Sequence, residues 1–215
     1  MKRYFHQLIA VMITAFGLTA VSAHAAVLLL EDNFDTDNAT TVLNFSAFNN
    51  WTVSNGTVDY IRSGGFGISC VGGTGGCVDL DGSTLNGGRM TSIMSFNLLA
   101  DNTYEFSVQV SGNQRGGAVD DFIFGTIGDL NVTIVQNNIA WDLLFSPRVL
   151  TLTVAADAIV QLFMETSSND NFGVIVDNVS FWCRTCQPTA VPEPSALALL
   201  GLGLLGVLGF ARKRG

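Results

Sequence analysis

Residues 103–110 read Thr-Tyr-Glu-Phe-Ser-Val-Gln-Val, with Tyr104, Phe106, Val108 and Val110 at every second position. Only an extended chain gathers such a set on one face, because side chains alternate along a strand and recur about every 3.6 residues in a helix. The run therefore predicts a strand with one face in a core and the other in water. Val149–Val154 alternates in the same way, less sharply. From 26 to 183 the apolar residues fall in short β-branched and aromatic runs broken by Gly, Asn and Asp. These runs are Val27–Asp32, Trp51–Ser54, Thr57–Ile61, Cys77–Leu80, Thr91–Phe96, Thr103–Val110, Asp121–Ile127, Asn131–Gln136, Val149–Val154, Ile159–Glu165 and Val174–Trp182. No stretch of this middle region keeps helical periodicity for 12 residues. Many short strands with Gly/Asn/Asp turns predict an all-β domain, an antiparallel β-sandwich of jelly-roll type.

The two ends read differently. Mean hydropathy is +0.38, and its source is two apolar runs, 8–21 and 196–211. Residues 1–25 have the parts of a secretory signal: Lys2 and Arg3, a 14-residue apolar stretch, and Ala23-His24-Ala25 as a small-x-small cleavage site. Ala23 and Ala25 are the residues signal peptidase would read, and the mature chain is expected to begin at Ala26; a permanent N-terminal anchor is the competing reading. The expected organisation is a signal peptide at 1–25, a β-sandwich ectodomain at 26–187 and a terminal segment at 188–215.

Setting the ends aside changes the charge. The middle keeps five arginines against 17 acids, a formal −12, and holds no His and no Lys. Triads with His, histidine metal sites, Schiff-base lysines and phosphate-loop lysines are therefore excluded from it. So acidic a surface repels phosphates, which excludes nucleic acid as a partner.

At the C-terminus, Val191-Pro192-Glu193-Pro194 precedes 16 apolar residues and then Arg212-Lys213-Arg214. As a helix that run is about 24 Å long against a hydrocarbon core of ~30 Å, so it reaches across with its arginines snorkelling. The basic end should stay in the cytoplasm. Pro192 and Pro194 keep Glu193 extended and open to a processing enzyme. Gly201, Gly203 and Gly206 form a G-x-G-x-x-G, but with no strand before it this reads as glycine in a membrane helix. A GPI signal also ends in an apolar tail, yet lacks a basic end.

This order resembles the PEP-CTERM sorting signal of Gram-negative bacteria, with Pro192, Glu193 and Pro194 matching the motif and Arg212, Lys213 and Arg214 its basic end. The resemblance implies processing by an exosortase, a membrane-embedded transpeptidase-like enzyme. It also implies transient anchoring at the inner membrane through the C-terminal helix, then a place at the cell surface or in the extracellular matrix.

An exported chain meets an oxidising compartment, which favours disulfides. Cys70 and Cys77 bracket Val-Gly-Gly-Thr-Gly-Gly, a loop flexible enough for the sulfurs to meet, and Cys183-Arg-Thr-Cys186 follows the last strand-like run. Local pairing of each couple is expected. A redox C-x-x-C and a four-thiolate zinc site compete with it.

The middle region resembles the galactose-binding-like jelly rolls found attached to this sorting tail, through Asn33-Phe34-Asp35, Asn50-Trp51, Cys77-Val-Asp-Leu-Asp-Gly82, Ser111-Gly-Asn-Gln-Arg115 and Val176-Asp177-Asn178. The resemblance implies carbohydrate binding, with exopolysaccharide as partner, and a structural calcium held by Asp32 or Asp35 with Asp177. Asp177 as a turn residue satisfying backbone amides competes with that role. For a ligand, the expected residues are Asp79 and Asp81, which alternate onto one face, and Asn113 and Arg115 in a Gly-flanked loop. Trp51, Tyr60, Trp141 and Trp182 are the available platforms, with Trp51 and Trp182 read as core. Catalysis is not expected: the adjacent pairs Glu31-Asp32 and Asp120-Asp121 point to opposite faces of a strand, and Glu105 lies on a polar face. The alternative to a sugar-binding module is a purely structural surface or biofilm-matrix protein with no small ligand.

Overall fold

A computed structural model describes residues 26–186; the signal segment, the apolar C-terminal run and its basic end lie outside the described residues. Twelve strands follow one another: β1 (Val27–Asp32), β2 (Trp51–Ser54), β3 (Asp59–Arg62), β4 (Gly76–Asp79), β5 (Arg89–Ser92), β6 (Phe96–Leu98), β7 (Thr103–Ser111), β8 (Asp120–Gly128), β9 (Val132–Ile139), β10 (Ser146–Thr153), β11 (Ala158–Glu165) and β12 (Ile175–Cys183). They form two six-stranded sheets. One runs β10-β7-β12-β4-β3 with β1 also on β12; the other runs β2-β5-β11-β8-β9 with β6 also on β11. Every pair of named strands is antiparallel. This is the expected jelly-roll sandwich.

The alternating residues of β7 do what their spacing requires. Tyr104, Phe106, Val108 and Val110 are buried between the sheets, with Phe106 against Phe124 and Phe181. The expected Thr91–Phe96 strand is two strands, because Ile93–Ser95 leave the ladder and Ser92 Oγ donates to Met94 O at 2.8 Å. Trp51 is core, 1% exposed. Trp182 is not: it lies half-buried on the outer face under the Arg184 guanidinium, 5.2 Å from the ring centre. Among the described residues no helix is long and apolar enough to cross a membrane.

A second, smaller apolar cluster covers part of the outer face of the first sheet. Ile61, Cys77 and Ile175 meet Ile68 and Cys70 from the loop between β3 and β4. That loop is stapled by a Cys70–Cys77 disulfide, and a Cys183–Cys186 disulfide closes the turn after β12. The local pairing is the expected one, and no described cysteine remains for zinc.

Val27 pairs with Cys183, so both ends of the domain leave from the same end of the sandwich. The β7–β8, β9–β10 and β11–β12 connections lie at the opposite end. At about 3.3 Å per residue, nine-residue strands such as β7 and β12 separate the two ends by ~30 Å.

Candidate functional site

The loop end is built on residues that β4 and β7 carry out of the sheet. Asp79 closes β4 and is 1% exposed; Asp81 follows and is fully buried. Asp79 Oδ1 accepts N–H bonds from Asp81 (3.0 Å) and Gly173 (3.1 Å), while its Oδ2 takes a 2.5 Å ion pair from Arg115. Asp81 Oδ2 accepts the N–H groups of Asp170 and Asn171, both at 2.9 Å. Arg115 also donates to Asn171 O at 3.0 Å and lies 4.4 Å over the Phe172 ring. Asn113 completes the set, with its Nδ2 towards Asp120 Oδ2 and Phe172 O, both at 3.4 Å, and its Oδ1 receiving the Arg115 N–H. Gly173 is required here, since a Cβ would run into Asp81 N and Asp79 Oδ1.

The structure thus brings Asp79, Asp81, Asn113 and Arg115 together, but against one another. The two carboxylates hold the β11–β12 loop onto the sandwich and do not face solvent. Asp81 Oδ1 and Arg115 Nε are the atoms of this network left without a partner. Sequence reasoning saw Asp120 only as half of an adjacent acidic pair and missed Asp170, and both complete the network; the Ser-Ser-Asn-Asp-Asn run at 167–171 was the available sign of Asp170.

Two clefts flank the Asn113–Arg115 loop. One, of about 360 Å³, is polar and lined by Asp120, Asp121, Asn137, Asn138, Ser168 and Asp170. The other, of about 410 Å³, is lined by Ser69, Gln114, Trp141, Asp142, Leu144 and Phe145 among others. Trp141 is 44% exposed there and Leu144 83%. Three loops fix this second cleft. Gln114 bridges to the disulfide loop, with Oε1 accepting Ser69 N–H (2.9 Å) and Nε2 donating to Ser69 O (3.0 Å). Its own N–H donates to Trp141 O at 2.8 Å. Gly112 lets the Trp141 turn sit directly on the β7–β8 loop, since a Cβ would strike Ala140 O and Trp141 O.

Asp32, Asp35 and Asp177 meet where β1 and β4 share the edge of β12, at a register shift between Asp177 and Ser180. Each of their six oxygens accepts an N–H. Asp32 takes Phe34 (2.9 Å) on Oδ1, with Asn50 Nδ2 (3.0 Å) and Trp51 Nε1 (2.9 Å) on Oδ2. Asp35 takes Gly76 (2.8 Å) and Asn33 Nδ2 (2.9 Å), and Asp177 takes Val71 (2.9 Å) and Asn178 (2.6 Å). Among the described residues no set of three or more His, Cys, Asp or Glu is arranged to hold a metal. The trio ties β1, the disulfide loop and β12 together.

Burial pushes two of these acids up. Asp120, 6% exposed, and Asp177, 3% exposed, are each raised to about 6, partly offset by the hydrogen bonds they accept. A carboxylate raised in the fold binds protons more tightly folded than unfolded. Its contribution to stability is therefore full below about 3.8 and is lost as pH rises through about 6. The domain is expected to melt at a higher temperature at pH ~5 than at pH ~7.5, with Asp120→Asn flattening the difference in circular-dichroism melts. A higher melting temperature at the alkaline value would refute this.

The comparisons with known proteins address both regions. Residues 190–214 match the PEP-CTERM protein-sorting motif. No curated protein sequence matches the chain. Among solved structures, an arabinose-bound α-L-arabinofuranosidase, MgGH51, superposes with a TM-score of 0.52 at 13% identity over 73% of this chain and 27% of its own. An apo cyclase from Fischerella sp. gives 0.50 at 13% identity over 76% and 98%. A Clostridium thermocellum xylanase 10B CBM22-1–GH10 module pair, complexed with xylohexaose, gives 0.45 at 16% identity over 77% and 30%. The chain spans less than a third of the length of the xylanase and the arabinofuranosidase, and at 13% identity the likeness to the arabinofuranosidase and the cyclase is one of fold. A PEP-CTERM sorting motif behind a jelly-roll β-sandwich makes this an exported protein.

Proposed function

We propose that the exported domain binds carbohydrate in the cleft between the Cys70–Cys77 loop and the β9–β10 loop, with Trp141 as the platform for a sugar ring. The carrying observation is an indole 44% exposed in a cleft of about 410 Å³ that also presents Ser69, Gln114 and Asp142. A sugar offers C–H faces to an aromatic ring and hydroxyls to polar neighbours, so a site needs both kinds of group converging. Orientation supports the reading, because the cleft lies at the end of the sandwich opposite the one where Val27 and Cys183 pair. A domain tethered by its C-terminal segment presents this cleft outward.

In this reading signal peptidase removes residues 1–25 and an exosortase-like enzyme acts near Pro192–Pro194 in the envelope of a Gram-negative bacterium. The C-terminal helix holds the chain at the inner membrane only until then. The product resides at the cell surface or in the exopolysaccharide matrix. Titration of the exported protein against the host exopolysaccharide and a panel of glycans is expected to show saturable binding. Trp141→Ala should weaken it by about tenfold or more, some 1.4 kcal/mol, as truncation of a central aromatic anchor does. Full affinity in that variant would remove the site from this cleft. An absence of binding to every glycan would leave the structural display role.

A further inference from the structure

The free sheet edges of the domain are not alike. A row of unpaired N–H and C=O groups is a template for another strand, and proteins blunt such rows with charge, proline, brevity or a cover. β10 carries Pro147 and Arg148. β3 is covered, since Tyr60 and Val42 exchange both backbone hydrogen bonds at 2.9 Å. β1 ends in Glu31-Asp32 and breaks register between Leu28 and Leu30. β2 has four residues and β6 three. β9 has none of these guards over most of its length. It reads Val-Thr-Ile-Val-Gln-Asn-Asn-Ile, eight residues without charge or proline, and pairs with β8 alone. Val135 is 52% exposed. Its irregularity, a positive φ at Asn138, is confined to the far end, and Val132–Gln136 pair regularly with β8.

We infer that β9 is the docking edge for a second copy of this chain, which adds its own β9 antiparallel to the first. The sequence of the strand suits itself. A two-fold axis on Ile134 sets Thr133 opposite Val135 and Val132 opposite Gln136, so each copy keeps its core-facing residues on the core side. The result is one sheet continuous across both copies. The domain carries a formal −12, so two copies repel, and a strand with no acid of its own is where they come together at least cost. The pairing therefore strengthens with salt, which shortens the reach of the repulsion to about 8 Å at physiological strength and ~3 Å at 1 M. The two-fold reverses strand direction, and with it the end from which each chain leaves. Copies anchored side by side in one membrane cannot pair in this way. Released copies, or copies on apposed surfaces, can.

Sedimentation velocity of the released protein over a concentration series, at low and at high salt, tests this. A dimer that grows with concentration and with salt is expected. Val135→Glu and Thr133→Lys alter exposed positions, should leave the melting temperature unchanged, and should each abolish the dimer. An equimolar mixture of the two variants should restore it, since the introduced acid and base face each other across the two-fold. A wild-type protein that stays monomeric throughout overturns the inference. So does a Val135→Glu chain that dimerises like the wild type, or a mixture that fails to associate. None of these outcomes depends on glycan binding.

Discussion

Arg115→Met should destabilise the domain by about 3–5 kcal/mol, the cost of removing one partner from a buried ion pair. Asp79 is 1% exposed, and Arg115 is the one cation that reaches it among the described residues. Methionine keeps most of the contact with Phe172 while taking the charge away, so the loss reports on Asp79 and not on a cavity. Burial already pushes the Asp79 carboxyl well above the usual carboxylate range, and the charge of Arg115 opposes that push. Without the guanidinium the carboxyl takes up a proton more readily, so the variant should be hurt more at pH ~8 than at pH ~5. Asp79→Asn in the same chain removes the stranded charge and should recover part of the loss. Urea denaturation of the wild type, both single variants and the double variant measures each of these. A single-variant loss under ~1 kcal/mol would mean that the pair behaves as a solvated surface contact.

That network shows what the sequence could and could not disclose about the site. Asp79 and Asp81 sit two apart after a buried Val78, and spacing alone puts them on one side of the chain. Asn113 and Arg115 sit in a loop whose glycines announce a turn. Neither pattern says that the two loops touch each other, because that contact depends on how β4, β7 and β12 lie side by side. It also depends on a third loop, 166–174, whose backbone N–H groups are the partners of both carboxylates. Backbone donors leave no mark in side-chain identity, so the residues read as an open ligand face are in fact a closed structural joint. Trp141 shows the converse. It was legible as one of the available aromatic platforms, but its exposure follows from Gly112 and Gln114 holding its turn in place.

The fold was more legible because period-two burial is a local signal. Strands β1 and β2 begin and end where alternation and turn residues place them, and most others differ by one to three residues at an end. The misreadings came where a second layer intervenes. Trp182 lies within an apolar run and looks like core, yet the register shift of β12 between Asp177 and Ser180 fixes which of its residues face inward. Phe181 takes the core position and Trp182 faces out, half-buried, with its ring face under Arg184. The disulfides were readable from spacing, whereas the small outer core that Cys70 and Cys77 staple was not. Ile61, Ile68 and Ile175 belong to three separate segments.

Asp32→Ala should cost about 3 kcal/mol, because it strands buried donors as well as deleting hydrogen bonds. Trp51 is 1% exposed and Asp32 Oδ2 accepts its indole N–H. The same carboxylate accepts from Phe34 N–H and Asn50 Nδ2, fixing the turn by which β1 leaves the sheet. Asp32→Asn should be only partly better, since an amide nitrogen set against either donor group repeats the mismatch. Trp51→Phe separates the contributions: in that background the alanine variant should lose less, by about 1 kcal/mol or more for the indole bond. Equal losses in both backgrounds would mean that the indole does not depend on Asp32. Melting with calcium and then with chelator tests the same carboxylate from the other side. With all six oxygens of Asp32, Asp35 and Asp177 accepting N–H bonds, calcium should leave the midpoint unchanged. A rise with calcium in the wild type that disappears in Asp32→Ala would assign the trio to a cation, and the N–H donors would then be rearranged in the metal-bound protein.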